Sequence, residues 1–499
     1  MTVVDSESNV TRQAASGVVW LTLQKWVTRL SGIFTIAVLT RFLTPEDFGV
    51  VAAASTVLPF FMLLADLGFA TYIVQADEAD EKMLSTGFWF SLSAGVALTA
   101  ALVAIAPLLG WVFRSDQVIP VLQVLALSVV LLGLSSVPMA LLRRRMQFKK
   151  LAAQGTAAAL VAQAVAVGMT FGGLGVWALV GQALASPIVQ GVLAWVEAKW
   201  RPRFTFSFGI FRKMTQFGSQ VLGVEFVAMA RAWAEAAIVS ATLGLPALGF
   251  LNIAQRLIQV VQDMTGSALA PVSMVAFAKI RDSIPRLCAA YLRSLRLIYA
   301  ALSAPLTLVA VAAPLLIPIL FGGGWEESNQ VTQLLALAGI MTVGAALDHG
   351  LYYGVGKPGQ WFVYAVLTDI MTVAMTAFAV RWGLVGVGAG FLVVATVATI
   401  VRWFLVARIL ETSPTVVARP FGFLAPAVLA SGAAGWLALM ATSPLPPLLR
   451  VTLIGVVLLL VHLLVVRLLA RPVVDEIMLY VKRLWRARRK PAPTQSEET

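Results

Sequence analysis

The sequence predicts an all-α transmembrane protein of about fourteen helices, arranged as two six-helix lobes in parallel repeat plus two C-terminal helices. Hydrophobic residues make up 59% of the 499 positions and charged residues 12%, whereas soluble domains use about 45–50% apolar residues. The apolar runs are roughly 20 to 27 residues long, which is the length of a membrane-spanning helix and about twice that of a barrel strand. Because lipid offers the backbone no hydrogen-bond partners, such runs are expected to be helical.

Glycine, proline and charged residues interrupt the apolar runs and place the predicted spans. An even number of spans puts both termini on one side of the membrane, and the loops and terminal tails on that side hold 27 of the 37 lysines and arginines, against four in the loops on the other side. Since cytoplasmic connections are enriched in basic residues, both termini are expected to be cytoplasmic. The predicted spans are 16–42, 49–75, 84–112, 117–142, 151–171, 174–196, 216–243, 247–274, 297–321, 330–356, 361–381, 384–408, 421–441 and 448–470.

A weak internal repeat, offset by about 200 residues, relates the two predicted lobes. The turn from Leu43 to Gly49 resembles the turn from Leu243 to Gly249. Six spans per copy give both copies the same orientation, as in transporters built from parallel repeats. The predicted organisation is an N-lobe over 1–196, a cytoplasmic interfacial linker over 197–215, a C-lobe over 216–408, spans thirteen and fourteen over 409–470, and a basic cytoplasmic tail over 471–499.

The predicted linker has the composition of a segment at a membrane surface. Phe204, Phe206 and Phe208 alternate with small polar residues after Arg201 and Arg203. Aromatic and basic side chains both favour the interfacial layer of a bilayer. The linker is therefore expected to lie along that layer.

Composition also argues against several other classes of protein. The net charge is +13, but basic residues that flank apolar spans set topology and contact anionic lipid, so no nucleic-acid partner is predicted. The single cysteine, Cys288, and the two histidines, His349 and His462, cannot form a Cys/His zinc site, and no metal or cofactor is predicted. The connections on the external side are short, which leaves no room for a catalytic domain. The chain is therefore not expected to be an enzyme.

The stretch from Arg41 to Val50, which continues through Asp66 to Gln75, resembles the amino-terminal signature of polysaccharide-repeat flippases. The segments 143–150 and 201–206 also resemble this family, the Wzx-like O-antigen and exopolysaccharide transporters of the multidrug/oligosaccharidyl-lipid/polysaccharide superfamily. The resemblance implies a MATE-like fold. It also implies an alternating-access flippase that moves an undecaprenyl-pyrophosphate-linked oligosaccharide from the cytoplasmic to the periplasmic leaflet of a bacterial inner membrane.

The partners that the resemblance implies are the lipid-linked oligosaccharide, membrane lipids and polysaccharide synthesis proteins. Three alternatives remain open at the level of sequence. Two of them, a lipid II flippase and a MATE-type multidrug antiporter, belong to the same superfamily. The third, a membrane polysaccharide polymerase or glycosyltransferase, belongs to a different class of protein.

Cations inside the predicted spans mark the candidate substrate site. A charge at mid-bilayer costs about 2.5–3.5 kcal/mol, so each one needs a polar cavity or a partner. Lys25 and Arg29 lie four residues apart in span one and share a helix face, as do Arg231 and Glu235 in span seven. Arg256 belongs to a polar line along span eight. We expect the four cations to form a cavity that binds the lipid pyrophosphate.

Four acidic residues in the same spans are candidates for coupling transport to a proton or sodium gradient. They are Asp66, Glu225, Glu235 and Asp263. Carboxylates that are shielded from bulk water can titrate near neutral pH, which suits a coupling role. The same carboxylates could instead form fixed ion pairs with the four cations and hold the helices together, and the sequence leaves both readings open.

Overall fold

The computed structural model describes residues 20, 23–76, 78–472 and 475, and for residues 217–225 and 264–272 it describes the backbone alone. Within these ranges every regular element is a helix, so the predicted all-α class is confirmed. A helix over residues 23–39, α1, is followed by α2 (Pro45–Asp66), α3 (Phe69–Gln75), α4 (Glu81–Phe113), α5 (Val118–Leu125), α6 (Leu127–Arg144), α7 (Phe148–Phe171), α8 (Val176–Ala198), α9 (Phe208–Leu243), α10 (Leu245–Ile280), α11 (Ile284–Phe321), α12 (Ser328–Thr342), α13 (Ala345–Gly354), α14 (Pro358–Ala379), α15 (Gly383–Ile409), α16 (Pro414–Ala418), α17 (Phe421–Ala441) and α18 (Pro447–Leu469).

Among the described residues, 11 helical stretches are long and apolar enough to cross a membrane. The chain is therefore a multi-pass membrane protein. One of these stretches, Pro358–Ile409, contains both predicted spans eleven and twelve, which a short 3₁₀ turn at Val380–Trp382 separates. Predicted spans one and eight correspond to α1 and α10, which are helical but lie outside that set. The predicted number of about fourteen is consistent with this arrangement.

The helices pack into two compact units. Unit 1 comprises Met1–Ile253, Leu320–Glu327 and Asp369–Gly386, and unit 2 comprises Ala254–Ile319, Ser328–Thr368 and Val387–Thr499. The predicted division into lobes, linker and appended spans stays a prediction. The predicted basic tail over 471–499 lies almost entirely outside the described residues.

The helix α2 in unit 1 has sharply defined ends. Thr44 caps its first turn in a capping box: the Thr44 hydroxyl accepts from the Asp47 amide, and the Asp47 carboxylate accepts from the Thr44 amide at 2.9 Å. Pro45 occupies the first turn, where its missing N–H leaves no bond unmade. The helix ends at Asp66, because Leu67 and Gly68 both take left-handed backbone angles, with φ of 43° and 72°. The segment that resembles the flippase signature thus forms the capped helix α2, the break after it and the short helix α3.

The first turns of α2 and α10 cross at two glycines of unit 1. A Cβ atom on Gly49 would lie 2.0 Å from the carbonyl oxygen of Leu245, and one on Gly249 would lie 2.0 Å from that of Pro45. Only glycine permits so close an approach of two backbones. Gly49 and Gly249 are equivalent positions of the predicted repeat, so its two turns meet in a reciprocal contact, the glycine crossing.

Trp325, in the connection between α11 and α12, covers the glycine crossing. Its side chain is 1% exposed, and its indole N–H donates to the carbonyl oxygen of Thr40 at 3.0 Å. The ring packs edge to face against Phe48, one residue before Gly49, and against Phe250, one residue after Gly249. An indole that is buried with its N–H paired anchors this short connection to unit 1.

The predicted linker follows the surface of unit 1 beside the start of α4. The indole N–H of Trp89 donates to the carbonyl oxygen of Arg203 at 2.8 Å, and the Trp89 ring stacks on Phe204. Phe204 is 92% exposed, and Phe206 and Phe208 are exposed as well. The backbone of the linker is thus fixed to the helices while its aromatic side chains remain accessible.

Candidate functional site

Arg231 lies between two carboxylates in unit 1. Its Nη1 is 2.9 Å from Oε2 of Glu235, one turn further along α9, and its Nε is 2.9 Å from Oδ1 of Asp369 on α14. The Glu235 side chain is 6% exposed, whereas Arg231 keeps 32% of its side-chain surface accessible. We call these three residues the Arg231 cluster.

The Arg231 cluster carries one more negative than positive charge when both carboxylates are ionised. A guanidinium has five N–H groups in a planar fork, and these two contacts use Nε and Nη1. The cluster can therefore present further N–H donors to a phosphate, which arginine binds through paired hydrogen bonds. Within the described ranges, no group of three or more His, Cys, Asp and Glu side chains is arranged to hold a metal ion.

Sequence spacing found one of the two partners of Arg231 and missed the other. The four-residue interval between Arg231 and Glu235 places them on one helix face, and they form an ion pair there. Asp369 is far away in the sequence, and no spacing rule connects it to α9. The only signal was the charge itself, since Asp369 lies inside a predicted span.

Asp66 is the last residue of α2, immediately before the left-handed break. Its Oδ1 accepts a hydrogen bond from the hydroxyl of Ser136 on α6 at 2.6 Å. The carboxylate is half-buried. Asp66 therefore couples the end of α2 to α6.

Lys25 and Arg29 flank the face of α1 that packs against α7. At this level Gln163 of α7 donates to the carbonyl oxygen of Thr28 at 3.4 Å, and Gly32 also faces the Gln163 side chain. Lys25 is exposed and Arg29 is half-buried. The two side chains lie one turn apart, as their spacing predicts.

Arg256 and Asp263 lie on the part of α10 that belongs to unit 2. They are seven residues apart, so two helical turns bring them to the same face. Arg256 is exposed and Asp263 is half-buried. The side chain of Glu225 lies outside the described residues. That the four predicted cations line a single cavity stays a prediction.

Unit 2 contains a buried ion pair to which sequence reasoning gave no role. The Nη1 of Arg402 lies 2.9 Å from Oδ2 of Asp348, and both side chains are at most 5% exposed. The hydroxyl of Tyr291 donates to the other oxygen of the same carboxylate. A buried pair whose carboxylate also accepts this hydrogen bond holds α11, α13 and α15 together in a fixed arrangement. The signal available in the sequence was again a charge, Arg402, inside a predicted span.

This ion pair lies beside a break between two helices. The chain turns at Val343 and Gly344 between α12 and α13, and the turn leaves the carbonyl oxygen of Met341 free to accept from outside its helix. Thr399 donates to that oxygen at 3.0 Å and Arg402 at 3.4 Å. Side chains of α15 thus satisfy a backbone group that helix continuation would otherwise satisfy.

Comparison with known proteins gives a consistent picture. The sequence model of a family described as "Polysaccharide biosynthesis protein" matches residues 38–330. The succinoglycan biosynthesis transport protein ExoT of Rhizobium meliloti is 26% identical over 381 residues, which is 76% of each chain. The lipopolysaccharide biosynthesis protein WzxC of Escherichia coli is 23% identical over 397 residues, covering 79% of this chain and 80% of WzxC.

Solved structures share the fold. A lipid II flippase MurJ in an inward closed conformation aligns with a TM-score of 0.73 at 13% identity, over 91% of this chain and all of MurJ. An inward-facing multidrug resistance MATE family transporter of the MOP superfamily aligns with a TM-score of 0.62 at 17% identity, over 79% of this chain and 99% of the transporter. The MATE-like architecture predicted from the sequence is therefore confirmed.

Proposed function

We propose a transport mechanism from the premise that this chain belongs to the polysaccharide biosynthesis protein family. The chain moves a lipid-linked oligosaccharide repeat unit from the cytoplasmic to the periplasmic leaflet of a bacterial inner membrane, for surface polysaccharide biosynthesis. The carrier lipid is undecaprenyl pyrophosphate. The observation that carries the proposal is Arg231, a cation inside an apolar span that stays about one-third accessible although two carboxylates hold it.

Arg231 binds the pyrophosphate by exchanging partners. A phosphate oxygen replaces one of the two carboxylates on the guanidinium fork, so the arginine is never left without a counter-charge. Lys25, Arg29 and Arg256 supply further positive charge for the second phosphate. Because uncompensated phosphate charge is very unfavourable in a low-dielectric span, these cations are what allow the headgroup to enter.

The carboxylate that Arg231 releases offers a means of coupling to an ion gradient. A carboxylate left without its guanidinium partner inside a span is strongly favoured to take up a proton or a sodium ion. Glu235 and Asp369 can both act in this way, because each one contacts Arg231. Asp66, Glu225 and Asp263 remain further candidates.

The glycine crossing supports an alternating-access mechanism. In the proposed orientation, with cytoplasmic termini, α2 and α10 both begin at the periplasmic face. The crossing then closes unit 1 at that face, with Trp325 packed over it. Release of substrate to the periplasm requires the two turns to separate.

Replacing Arg231 by Ala tests the proposal in a strain that lacks its own flippase and is complemented by this chain. We expect loss of polymer export and accumulation of lipid-linked repeat units on the cytoplasmic leaflet, at normal membrane levels of the protein. Arg381→Ala is the matched control, since Arg381 stacks on Phe378 and Trp382 away from the Arg231 cluster. Polymer export that survives Arg231→Ala would refute the role of this residue.

Substrate competition in liposomes separates the proposed function from its alternatives. Purified protein is expected to flip an undecaprenyl-pyrophosphate oligosaccharide in preference to lipid II, and to leave a cationic drug untransported. Preference for lipid II or for the drug would favour the corresponding alternative. Incorporation of sugar from a labelled nucleotide-sugar by the purified protein would instead favour an enzyme.

A further inference from the structure

Unit 1 contains a cavity of about 870 Å³ between the ends of α4, α9 and α14. Its volume lies within the range of about 300–1,000 Å³ typical of small-molecule pockets. Small residues form much of the wall: Gly110 of α4, Ala237 and Ala241 of α9, and Ala377 of α14. Larger side chains at Ala237, Ala241 or Ala377 would narrow this space, since all three residues line it.

The wall and the rim of this cavity differ in polarity. Trp111 and Ile238 contribute apolar surface, whereas Arg114, Ser115 and Asp116 line it where the chain leaves α4. Arg114 and Asp116 are exposed, and Arg114 ends α4 in a left-handed conformation with φ of 54°. An apolar wall beneath a rim that holds a cation and hydrogen-bond acceptors is complementary to an amphiphile with an anionic, hydroxyl-bearing headgroup.

The proposed orientation places this cavity in the outer leaflet. All three helices then end at the periplasmic face, so the apolar wall lies at the depth of the lipid chains and the rim at the headgroups. Trp111 is 77% exposed, as is common for tryptophan at a membrane interface.

The cavity shares two of its three helices with the Arg231 cluster. Along α9, Ala241 follows Glu235 by six residues, or about 9 Å of helix rise; along α14, Ala377 follows Asp369 by eight residues, or about 12 Å. If the pyrophosphate leaves Arg231 toward the periplasm, this cavity is therefore the next site along the same two helices. A bulk phospholipid does not bind the Arg231 cluster in the proposed mechanism, so this argument favours the carrier lipid as the ligand.

We propose that this cavity, the outer-leaflet pocket, binds the isoprenoid chain of the carrier lipid after its headgroup has passed Arg231. Arg114 then contacts the phosphate, while Ser115 and Asp116 accept hydrogen bonds from the first sugar. The inference rests on the proposed function and adds a second binding site for the same substrate. It predicts that an isoprenyl phosphate occupies the pocket even when no oligosaccharide is attached.

Photo-crosslinking of the full-length protein in phospholipid nanodiscs tests the proposal. The probe is a polyprenyl phosphate with a diazirine on its chain, and a diazirine-bearing phosphatidylglycerol serves as the comparison. We expect the polyprenyl probe to label peptides covering 110–116, 237–242 and 377–380. Unlabelled polyprenyl phosphate should lower that labelling by about tenfold at a concentration where phosphatidylglycerol does not.

Two variants define the site further. Ala241→Trp fills the pocket and should reduce labelling by about tenfold, equivalent to about 1.4 kcal/mol of binding free energy. Ala104→Trp, at an exposed position of α4 outside the pocket, is the matched control. Arg114→Ala should weaken competition by polyprenyl phosphate while leaving competition by uncharged polyprenol unchanged.

The labelling pattern keeps this inference separate from the proposed function. Arg231→Ala blocks transport in the proposed function but should leave labelling of the pocket intact. Equal labelling by both probes without competition would mean an ordinary phospholipid site and would overturn the inference, as would absence of labelling. Polymer export that persists in Ala241→Trp, together with lost labelling, would show that transport does not need the pocket.

Discussion

A guanidinium shared by two carboxylates can serve both as a stable internal contact and as a binding group. Arg231 is held firmly by contacts of 2.9 Å on two sides, and in the proposed mechanism an anion with similar geometry replaces one of these partners. Removing a partner outright is a different event, because it leaves a charge uncompensated. Residue changes in the Arg231 cluster should therefore separate binding of the substrate from coupling to an ion.

Asp369→Asn is expected to strengthen binding of a pyrophosphate lipid. The substitution removes the carboxylate that competes with phosphate for Nε of Arg231, and a gain of about tenfold corresponds to about 1.4 kcal/mol. Binding of polyprenyl pyrophosphate to purified protein measures this effect, and Asp369→Glu, which keeps the charge, is the control. Weaker binding in Asp369→Asn would instead mean that Asp369 orients Arg231 for the substrate.

The buried pair in unit 2 should behave as a structural contact. Asp348→Asn leaves Arg402 buried without its counter-charge, and breaking such a pair typically destabilises a protein by about 3–5 kcal/mol. Replacing both residues, with Asp348→Leu and Arg402→Met, should restore most of that loss. Thermal unfolding of Asp348→Leu, Arg402→Met and the double variant measures the coupling. Strictly additive effects would contradict a direct interaction between the two side chains.

For the Arg231 cluster and for the buried pair in unit 2, the sequence shows mainly that charged residues lie inside predicted spans. Arg231 and Glu235 were paired from their spacing, because both lie on one helix. Asp369 and the Asp348–Arg402 pair join helices that are distant in sequence, and neither periodicity nor charge placement states which helices are neighbours. The sequence therefore places all of these charges inside predicted spans but indicates only one of these ion pairs.

At the scale of the elements, apolar runs predict well where a span lies, but they predict poorly where the helix within that span is broken. The break after Asp66 depends on two left-handed residues, one of them Leu67, which no propensity favours there. The break at Gly344 is stabilised by side chains of α15. Because α15 is distant in sequence, the residues around Gly344 do not predict these contacts. A helix ends where its backbone groups find other partners, and those partners can be remote.

The glycine crossing gives a prediction at this scale. In Gly49→Ala the added methyl group would lie 2.0 Å from the carbonyl oxygen of Leu245, so α2 and α10 have to move apart. In a Cys288→Ser background, Leu248→Cys reports the change, since Leu248 is 5% exposed. We expect faster labelling of this cysteine by a maleimide in Gly49→Ala, together with reduced polymer export.

Gly168→Ala is the matched control for Gly49→Ala, because nothing lies within 4 Å of an added Cβ at Gly168. The control should leave both the labelling and the export unchanged. Unchanged labelling in Gly49→Ala would mean that the crossing tolerates a methyl group. The glycine crossing could not then be what closes unit 1 at the periplasmic face.

At the scale of the whole molecule, composition together with the length of the apolar runs was enough for the fold class. With 59% hydrophobic residues the chain lies largely in lipid, where its backbone has to be satisfied within helices or a closed barrel, and runs of roughly 20 to 27 residues fit helices and are too long for barrel strands. The internal repeat identified Gly49 and Gly249 as equivalent positions, and in the structure the turns that contain them contact each other. The assignment of Leu320–Glu327 to unit 1 was not predictable, because it depends on how Trp325 packs and not on hydropathy.

The orientation of the molecule determines what each of these features does, and it can be measured directly. The 27-to-4 distribution of basic residues predicts that Arg212 faces the cytoplasm and Asp116 the periplasm. Both positions are exposed, so Arg212→Cys and Asp116→Cys in a Cys288→Ser background should both react with a maleimide that does not cross membranes. We expect Asp116→Cys to react in intact spheroplasts and Arg212→Cys only after permeabilisation. The opposite pattern would place the glycine crossing and the outer-leaflet pocket on the cytoplasmic side, and the proposed direction of release would then be wrong even if Arg231 binds the substrate.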